Sequence, residues 1–231
     1  MIKIKNITKI YNVGNQEISA LNDISFEANA GEFVVVVGPS GSGKTTLLNL
    51  LGGMDVPTSG DIFVDDKNIA KYNARQLTEY RRYDASFVFQ FYNLMPNLTA
   101  LENVELAVEI CKVPLDPKEV LEEVGLKDRL NSFPTQLSGG EQQRVSIARS
   151  IAKNSTLILC DEPTGALDYE TGKKILKLLY NASKQHNKTV ILVTHNSALK
   201  DMADKVVFMK NGQAESIITN KTPKPIEKVN W

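Results

Sequence analysis

Eight residues restrict this chain more than any others. Gly38-Pro39-Ser40-Gly41-Ser42-Gly43-Lys44-Thr45 is a full G-x-x-x-x-G-K-[ST] match, and it follows the apolar run Phe33 to Val37. That run has no polar face, the pattern of a central strand covered on both sides. Lys44 to Leu51 then reads as a helix packed on that strand. Strand, glycine turn and helix together point to an α/β fold with a turn built for phosphate. The glycines let the backbone fold tightly, so that successive N–H groups face one anion. The helix start adds its positive end to the same attraction. Lys44 reaches the β- and γ-phosphates of a bound ATP, and the Thr45 hydroxyl ligates Mg2+. The ATP-binding candidates are therefore Gly38 through Thr45, with Thr46 next along the helix.

A second apolar run, Leu157-Ile158-Leu159-Cys160, ends in Asp161-Glu162. Such a strand delivers two carboxylates to its C-terminal end, where an open α/β sheet binds ligands. Asp161 completes the Mg2+ pair with Thr45. Glu162 is placed to polarise an attacking water as general base. A strand that ends in two acidic residues is common on its own. Beside a phosphate loop it becomes specific.

The remaining pattern supports this core. Ile2 and Ile4 alternate with lysines, and Ile18 to Phe26 carries a second alternating run after the turn Asn12-Val13-Gly14-Asn15, so the first thirty residues read as β structure. Strands are expected at 61–64 and 85–90, with a helix over 74–83 between them. Apolar residues at helical spacing (Leu101, Val104, Ala107, Val108) mark a helix from Thr99 to Cys111. Asp116-Pro117 opens a second, and Ser138 to about Lys153 forms a third. Residues near 91–154 thus read as a helical subdomain inserted into the α/β core. The β/α rhythm resumes with a strand at 156–161, a helix at 170–185, a strand at 188–194, a short helix at 197–203 and a hairpin at 205–219. The domain is expected to span residues 1–220. The tail 221–231, with two prolines and several charges and ending in Trp231, reads as a loosely attached extension.

Composition narrows the function classes. Lys+Arg and Asp+Glu both number 27, so the formal net charge is zero, which argues against a nucleic-acid partner. Cys111 and Cys160 are too few and too far apart for a disulfide framework or a zinc site. No apolar run approaches the ~20 residues that span a bilayer, and the N-terminus lacks a signal-peptide pattern. The expected location is therefore cytosolic.

Leu137-Ser138-Gly139-Gly140-Glu141-Gln142-Gln143-Arg144 resembles the signature sequence of ABC ATPases. Ser138 and Glu141 are also spaced as an ordinary capping box, and the two readings are compatible. The resemblance covers about residues 2–218. It implies a nucleotide-hydrolysing core of the ABC type, with an N-terminal antiparallel β subdomain and the inserted helical subdomain. By the same resemblance, Leu137 to Glu141 faces the ATP held by a partner copy. Gln90 touches Mg2+ and the attacking water, His195 contacts the γ-phosphate, Ala166-Leu167-Asp168 crosses the dimer interface, and Tyr11 stacks on adenine. The implied catalytic set is Glu162, His195, Lys44 and Gln90, and the implied Mg2+ set is Thr45, Gln90 and Asp161.

Within the family, Phe89 to Val104 and Pro163-Thr164-Gly165-Ala166-Leu167-Asp168 look most like the branch serving macrolide export, lipoprotein release and antimicrobial-peptide resistance. Gly165 stands where many members have serine, a departure that branch shares. The resemblance implies a head-to-tail homodimer closed by ATP and a separate membrane permease, with the chain peripheral on the cytoplasmic face. The permease would dock near Phe91, Tyr92, Leu94 and Met95 if these are exposed; packing into the subdomain is the alternative. Two further readings stay open to different degrees. A soluble ABC ATPase acting on DNA or ribosomes would need a coiled-coil insertion, a second cassette or a basic surface, and none is visible. An ATPase that drives a non-transporting membrane protein, in signalling or cell-wall enzyme activation, has the same motor sequence.

Overall fold

The computed structural model describes residues 1–229. Strands β1 (Ile2–Val13) and β2 (Gln16–Ala28) form a long antiparallel hairpin around Gly14, whose φ of 60° suits a tight turn. β3 (Phe33–Val37) follows, entirely buried, and then α1 (Lys44–Leu51). β4 (Ser59–Val64) returns to pair with the free edge of β1, and β5 (Lys67–Asn68) adds a short antiparallel step. These strands make a four-stranded sheet in the order β2-β1-β4-β5. Its inward residues Ile2, Ile4, Ile7, Leu21 and Ile24 are almost wholly buried, as period-two alternation requires of a half-buried sheet.

The second sheet carries the chemistry. α2 (Ala74–Tyr83) leads into β6 (Ala85–Val88). Three helices come next: α3 (Ala100–Val108), α4 (Pro117–Glu123) and α5 (Gly139–Ala152). β7 (Leu157–Asp161), α6 (Tyr169–Gln185), β8 (Thr189–Thr194), β9 (Lys205–Lys210) and β10 (Gln213–Thr219) complete the chain. The strand order is β10-β9-β3-β8-β7-β6, parallel throughout except for β10. β3 lies between β8 and β9 and serves two cores at once. Phe33, Val35 and Val37 join the core with α3 to α6, whereas Val34 and Val36 join the core with α1 and the antiparallel sheet. This is the reason the strand has no polar face.

The helix starts follow local chemistry. Thr99 and Glu102 form a reciprocal capping box on α3, Asn73 and Gln76 do so on α2, and the Asp116 carboxylate accepts from the N–H groups of Lys118 and Glu119 on α4. The helices α3 to α5 lie between β6 and β7 in the chain, yet Val104, Val120, Leu121 and Val145 share one continuous core with Val35 and Ile158.

Two expectations are corrected. The strand expected over 85–90 ends at Val88, where the Phe89 carbonyl leaves the sheet and accepts a bond from Gln143 Nε2 on α5 at 3.3 Å. The tail is not loosely attached as far as residue 229. Ile226 and Val229 are buried in the α6 side of the core, Lys224 pairs with Asp201 at 2.8 Å, and Glu227 pairs with Lys177 of α6 at 2.8 Å. Two apolar side chains outweigh the turn-forming prolines as determinants there. Trp231 lies outside the described residues.

Candidate functional site

β3, β7 and β8 run parallel in register, with Val37 beside Thr194 and Asp161 beside Val193. Their carboxyl ends therefore emerge at one edge, and the phosphate loop, Asp161, Glu162 and His195 emerge with them. Ser40 to Thr46, Asp161, Glu162 and His195, together with Ile18, Ser19 and Ala20 of β2, line a cavity of about 400 Å³. An edge of this kind is where open α/β sheets hold ligands.

The loop is shaped by close packing. Gly43 caps α1 in a left-handed conformation, φ 95°, and a Cβ there would lie 2.5 Å from the Ala20 carbonyl oxygen. Only glycine fits such a position. No side chain caps this helix start, so its first N–H groups remain available to an anion. The Ser42 hydroxyl is buried without a hydrogen-bond partner. Lys44 Nζ donates to the carbonyls of Gly38 at 2.8 Å and Pro39 at 2.9 Å. Burial holds this ammonium below its ordinary pKa, against the opposing pull of Glu162 and Asp161.

The acidic pair is equally constrained. Burial, and then the neighbouring Glu162, push the Asp161 carboxyl above its usual range, while a Thr45 hydrogen bond and Lys44 act in the other direction. Glu162 has φ 46°, a conformation costly for a side chain of this size, and such strain gathers at functional sites. Its carboxyl is held at three points. Thr194 Oγ1 donates to Oε2 at 2.9 Å, the His195 backbone N–H donates to Oε1 at 2.8 Å, and the His195 ring Nδ1 lies 2.8 Å from Oε1. The thiol of Cys160, one residue before Asp161, is fully buried and pushed up by that burial, as expected of a small structural hydrophobe.

Four of the residues expected to meet ATP or Mg2+ lie outside this cavity lining: Gly38 and Pro39, whose carbonyls accept from Lys44, and Gln90 and Tyr11. The Gln90 side chain rests on Gly165, where a Cβ would come within 3.1 Å of its Nε2. Thr45 and Asp161 are brought together without it. Tyr11 pairs across the hairpin with Ile18, which does line the cavity. Its hydroxyl donates to Asp55 Oδ2 at 2.8 Å.

The signature residues sit apart from the cavity lining. Ser138 caps α5 in a full capping box with Glu141, and Arg129 Nε bonds Glu141 Oε1 at 3.1 Å. Ser138 is exposed, Leu137 is buried, and Gly139 is partly exposed. Gly140 packs so closely that a Cβ would lie 2.4 Å from Thr171 Cγ2. Asp168 caps α6 by accepting from Thr171 N at 3.0 Å, and this bond holds its carboxyl below the usual range. Leu167 leans on the core while Ala166 is exposed. Phe91 and Met95 are exposed at 74% and 47%, whereas Leu94 packs against the core.

Some contributors escaped the sequence reading. Thr194 holds the Glu162 carboxyl, and its place beside His195 at a strand end is the only signal it gives. Ile18 to Ala20 form a cavity wall from the other sheet, and nothing local in their sequence marks them. Arg149 of α5 donates to the carbonyls of Tyr92 at 2.6 Å and Asn93 at 2.7 Å, and so fixes the loop after Gln90.

Comparison with known proteins agrees with this geometry. Residues 21–165 match the family described as ABC transporter. The chain is 44% identical over 227 residues to the uncharacterized ABC transporter ATP-binding protein MJ0796 of Methanocaldococcus jannaschii, covering 93% of this chain and 95% of that one. It is 45% identical over 222 residues to an uncharacterized ABC transporter ATP-binding protein of Thermotoga maritima, covering 94% of each. A putative ABC transporter ATP-binding protein of Mycoplasma pneumoniae is 42% identical over the whole of this chain, which spans about half (50%) of that relative's length. The solved dimeric structure of MJ0796 in a post-hydrolysis state, bound to ADP and Pi, superimposes with a TM-score of 0.85 at 41% identity, over 95% of this chain and 98% of that one. The fold and site define an ABC ATPase. This chain belongs to the ABC transporter family.

Proposed function

We propose that this chain is the ATP-binding and ATP-hydrolysing subunit of an ABC transporter, in which two copies close head to tail on ATP and drive a separate membrane permease. The observation that carries the reading is Glu162. A strained residue is held by Thr194 and His195 at the mouth of a cavity that also holds Lys44, Thr45 and Asp161.

The residues fit the chemistry. The cavity offers uncapped helix N–H groups, the Ser42 hydroxyl, and an ammonium that donates to two backbone carbonyls. Triphosphate oxygens would replace those carbonyls as partners of Lys44. Thr45 and Asp161 present a hydroxyl and a carboxyl that suit Mg2+, a hard cation that would neutralise charge on the β- and γ-phosphates. Glu162 polarises a water for attack on the γ-phosphorus, giving ADP and phosphate. His195 steadies the Glu162 carboxyl and can turn its exposed ring toward the γ-phosphate. In this reading Ser138 and Gly140 of one copy meet the ATP of the other, and Ala166 to Asp168 line the seam between copies. Loss of the γ-phosphate contact reopens the pair.

The permease side rests on other residues. Phe91 and Met95 are exposed, and a separate groove of about 270 Å³ is lined by Met54, Phe87, Phe89 and Ala107 with the basic Arg81, Arg149 and Lys153, a shape that suits a partner helix. No helix among the described residues is long and apolar enough to cross a membrane, so in this reading the chain is peripheral, on the cytoplasmic face. The similarity of 89–104 and 163–168 to the macrolide-export and lipoprotein-release branch favours export or membrane extraction of a drug, peptide or lipoprotein.

The test uses Glu162→Gln. With Mg-ATP it forms a stable dimer by light scattering, with ADP it stays monomeric, and from membranes it co-purifies with a permease. A variant that never dimerises on ATP, or that recovers only ribosomal or DNA-repair proteins, overturns the reading.

A further inference from the structure

Lys9 is a buried cation with no part in the phosphate chemistry. It is only 8% exposed, a rare state for lysine unless it is paired. Its Nζ donates to Asp55 Oδ1 at 2.7 Å and to the Val56 carbonyl at 2.8 Å, and lies 4.8 Å over the Tyr11 ring. The other oxygen of Asp55 accepts from the Tyr11 hydroxyl at 2.8 Å. One carboxylate therefore grips both the cation on the ring's face and the hydroxyl at the ring's tip. Val56 N–H donates to Asp55 as well, at 2.7 Å, which fixes the carboxylate in turn. The strand partner of Tyr11, Ile18, lines the phosphate cavity together with Thr46.

We propose that Lys9 and Asp55 are positioning residues that hold the Tyr11 ring as the stacking platform for the base of the bound nucleotide. The inference rests on reading the cavity as an ATP site and goes beyond it by assigning the residues that orient the base. The cation occupies one face of the ring, so a purine has a single face to use. A ring pinned at tip and face stacks without first losing rotamer freedom.

The test is titration calorimetry of the purified chain with ATP and, separately, with tripolyphosphate, which carries the phosphates without the base. Wild type prefers ATP by about tenfold, the scale of one base–aromatic stack. Tyr11→Ala abolishes that preference. Tyr11→Phe keeps the ring but loses its bond to Asp55, and Asp55→Ala loses both grips; each discards most of the preference. Asp55→Asn keeps an acceptor for the hydroxyl and retains more of it. Tripolyphosphate binding stays within about twofold throughout. Wild-type preference in both Tyr11→Phe and Asp55→Ala overturns the proposal, because the ring then needs no positioning. Equal loss of both ligands in those variants overturns it too, by assigning the pair a purely structural role. If wild type shows no preference, or Tyr11→Ala keeps it, Tyr11 is not the base platform and the proposal falls with that part of the ATP-site reading. Failure of all variants and wild type to bind either ligand would instead condemn the ATP site itself, and the proposal with it.

Discussion

Two helices in this chain begin at glycines, and they are finished in opposite ways. α1 starts at Gly43 with no side-chain cap, inside a cavity that its own chain encloses on several sides. α5 starts at exposed Ser138 and satisfies its own end through the capping box with Glu141. The first leaves its donors for a ligand and surrounds them with Lys44, Asp161 and Glu162. The second commits its Glu141 N–H to Ser138, and it lies away from the Lys44, Asp161 and Glu162 that line the cavity. The contrast teaches that the first can hold a polyanion alone. The second can only add to one that is already held, which is what a two-copy site requires.

That contrast can be broken most forcefully at Glu162. Glu162→Gln should lower ATP turnover by about 10²- to 10⁴-fold, the range of a lost general base, while leaving ATP-driven dimerisation intact by light scattering. Next comes Lys44→Ala, which should weaken ATP binding by roughly 100-fold, since a charge-assisted bond to phosphate is lost from a partly buried site. Equal weakening by Ser138→Ala in monomer binding would erase the distinction between the two helix ends. The expected result is different: Ser138→Ala leaves ADP binding by the monomer unchanged, lowers ATP-driven dimer affinity by about tenfold, and costs about 1 kcal/mol of stability through the lost cap. Calorimetry and light scattering separate the two readouts.

The smallest effect concerns Asp161. Its carboxyl is raised in the folded state, so the folded chain binds that proton more tightly than the unfolded chain. Stability from this group is therefore present below the ordinary Asp pKa of ~3.9 and is lost as pH rises through the raised value. Asp161→Asn should raise the melting temperature of the nucleotide-free chain at pH 7 by about 2 °C, with the gain shrinking as pH falls toward 4. Calorimetric scans across pH check the sign. The same variant should lose ATP hydrolysis, which identifies the burial of this carboxyl as a stability cost kept for function.

Much of the cavity was legible because its residues are neighbours in the chain. Gly38 to Thr45 fold on themselves, and Asp161-Glu162 sit at the end of a run that can only be a buried strand. The caps at Thr99, Asp116 and Ser138 were readable for the same reason: capping is decided within four residues. The attachment of the tail has no local signal, because Ile226 and Val229 pack into a core built from residues far back in the chain, while the prolines signal only local turning. Gln90 and Tyr11 were assigned roles by resemblance. In the folded chain Gln90 rests on Gly165 and Tyr11 is tied to Asp55, and neither lines the cavity.

The sequence by itself determined the α/β class, the phosphate loop, the acidic strand end and the helix starts, because each rests on spacing and backbone freedom over a few residues. Only the tertiary structure decided which surfaces meet. The register of β3, β7 and β8 sets Glu162 against Thr194 and His195. The hairpin of the other sheet closes the cavity with Ile18 to Ala20 and brings Tyr11 to Asp55. Such contacts join residues far apart in the chain, and their free energy comes from packing and burial that no local pattern encodes.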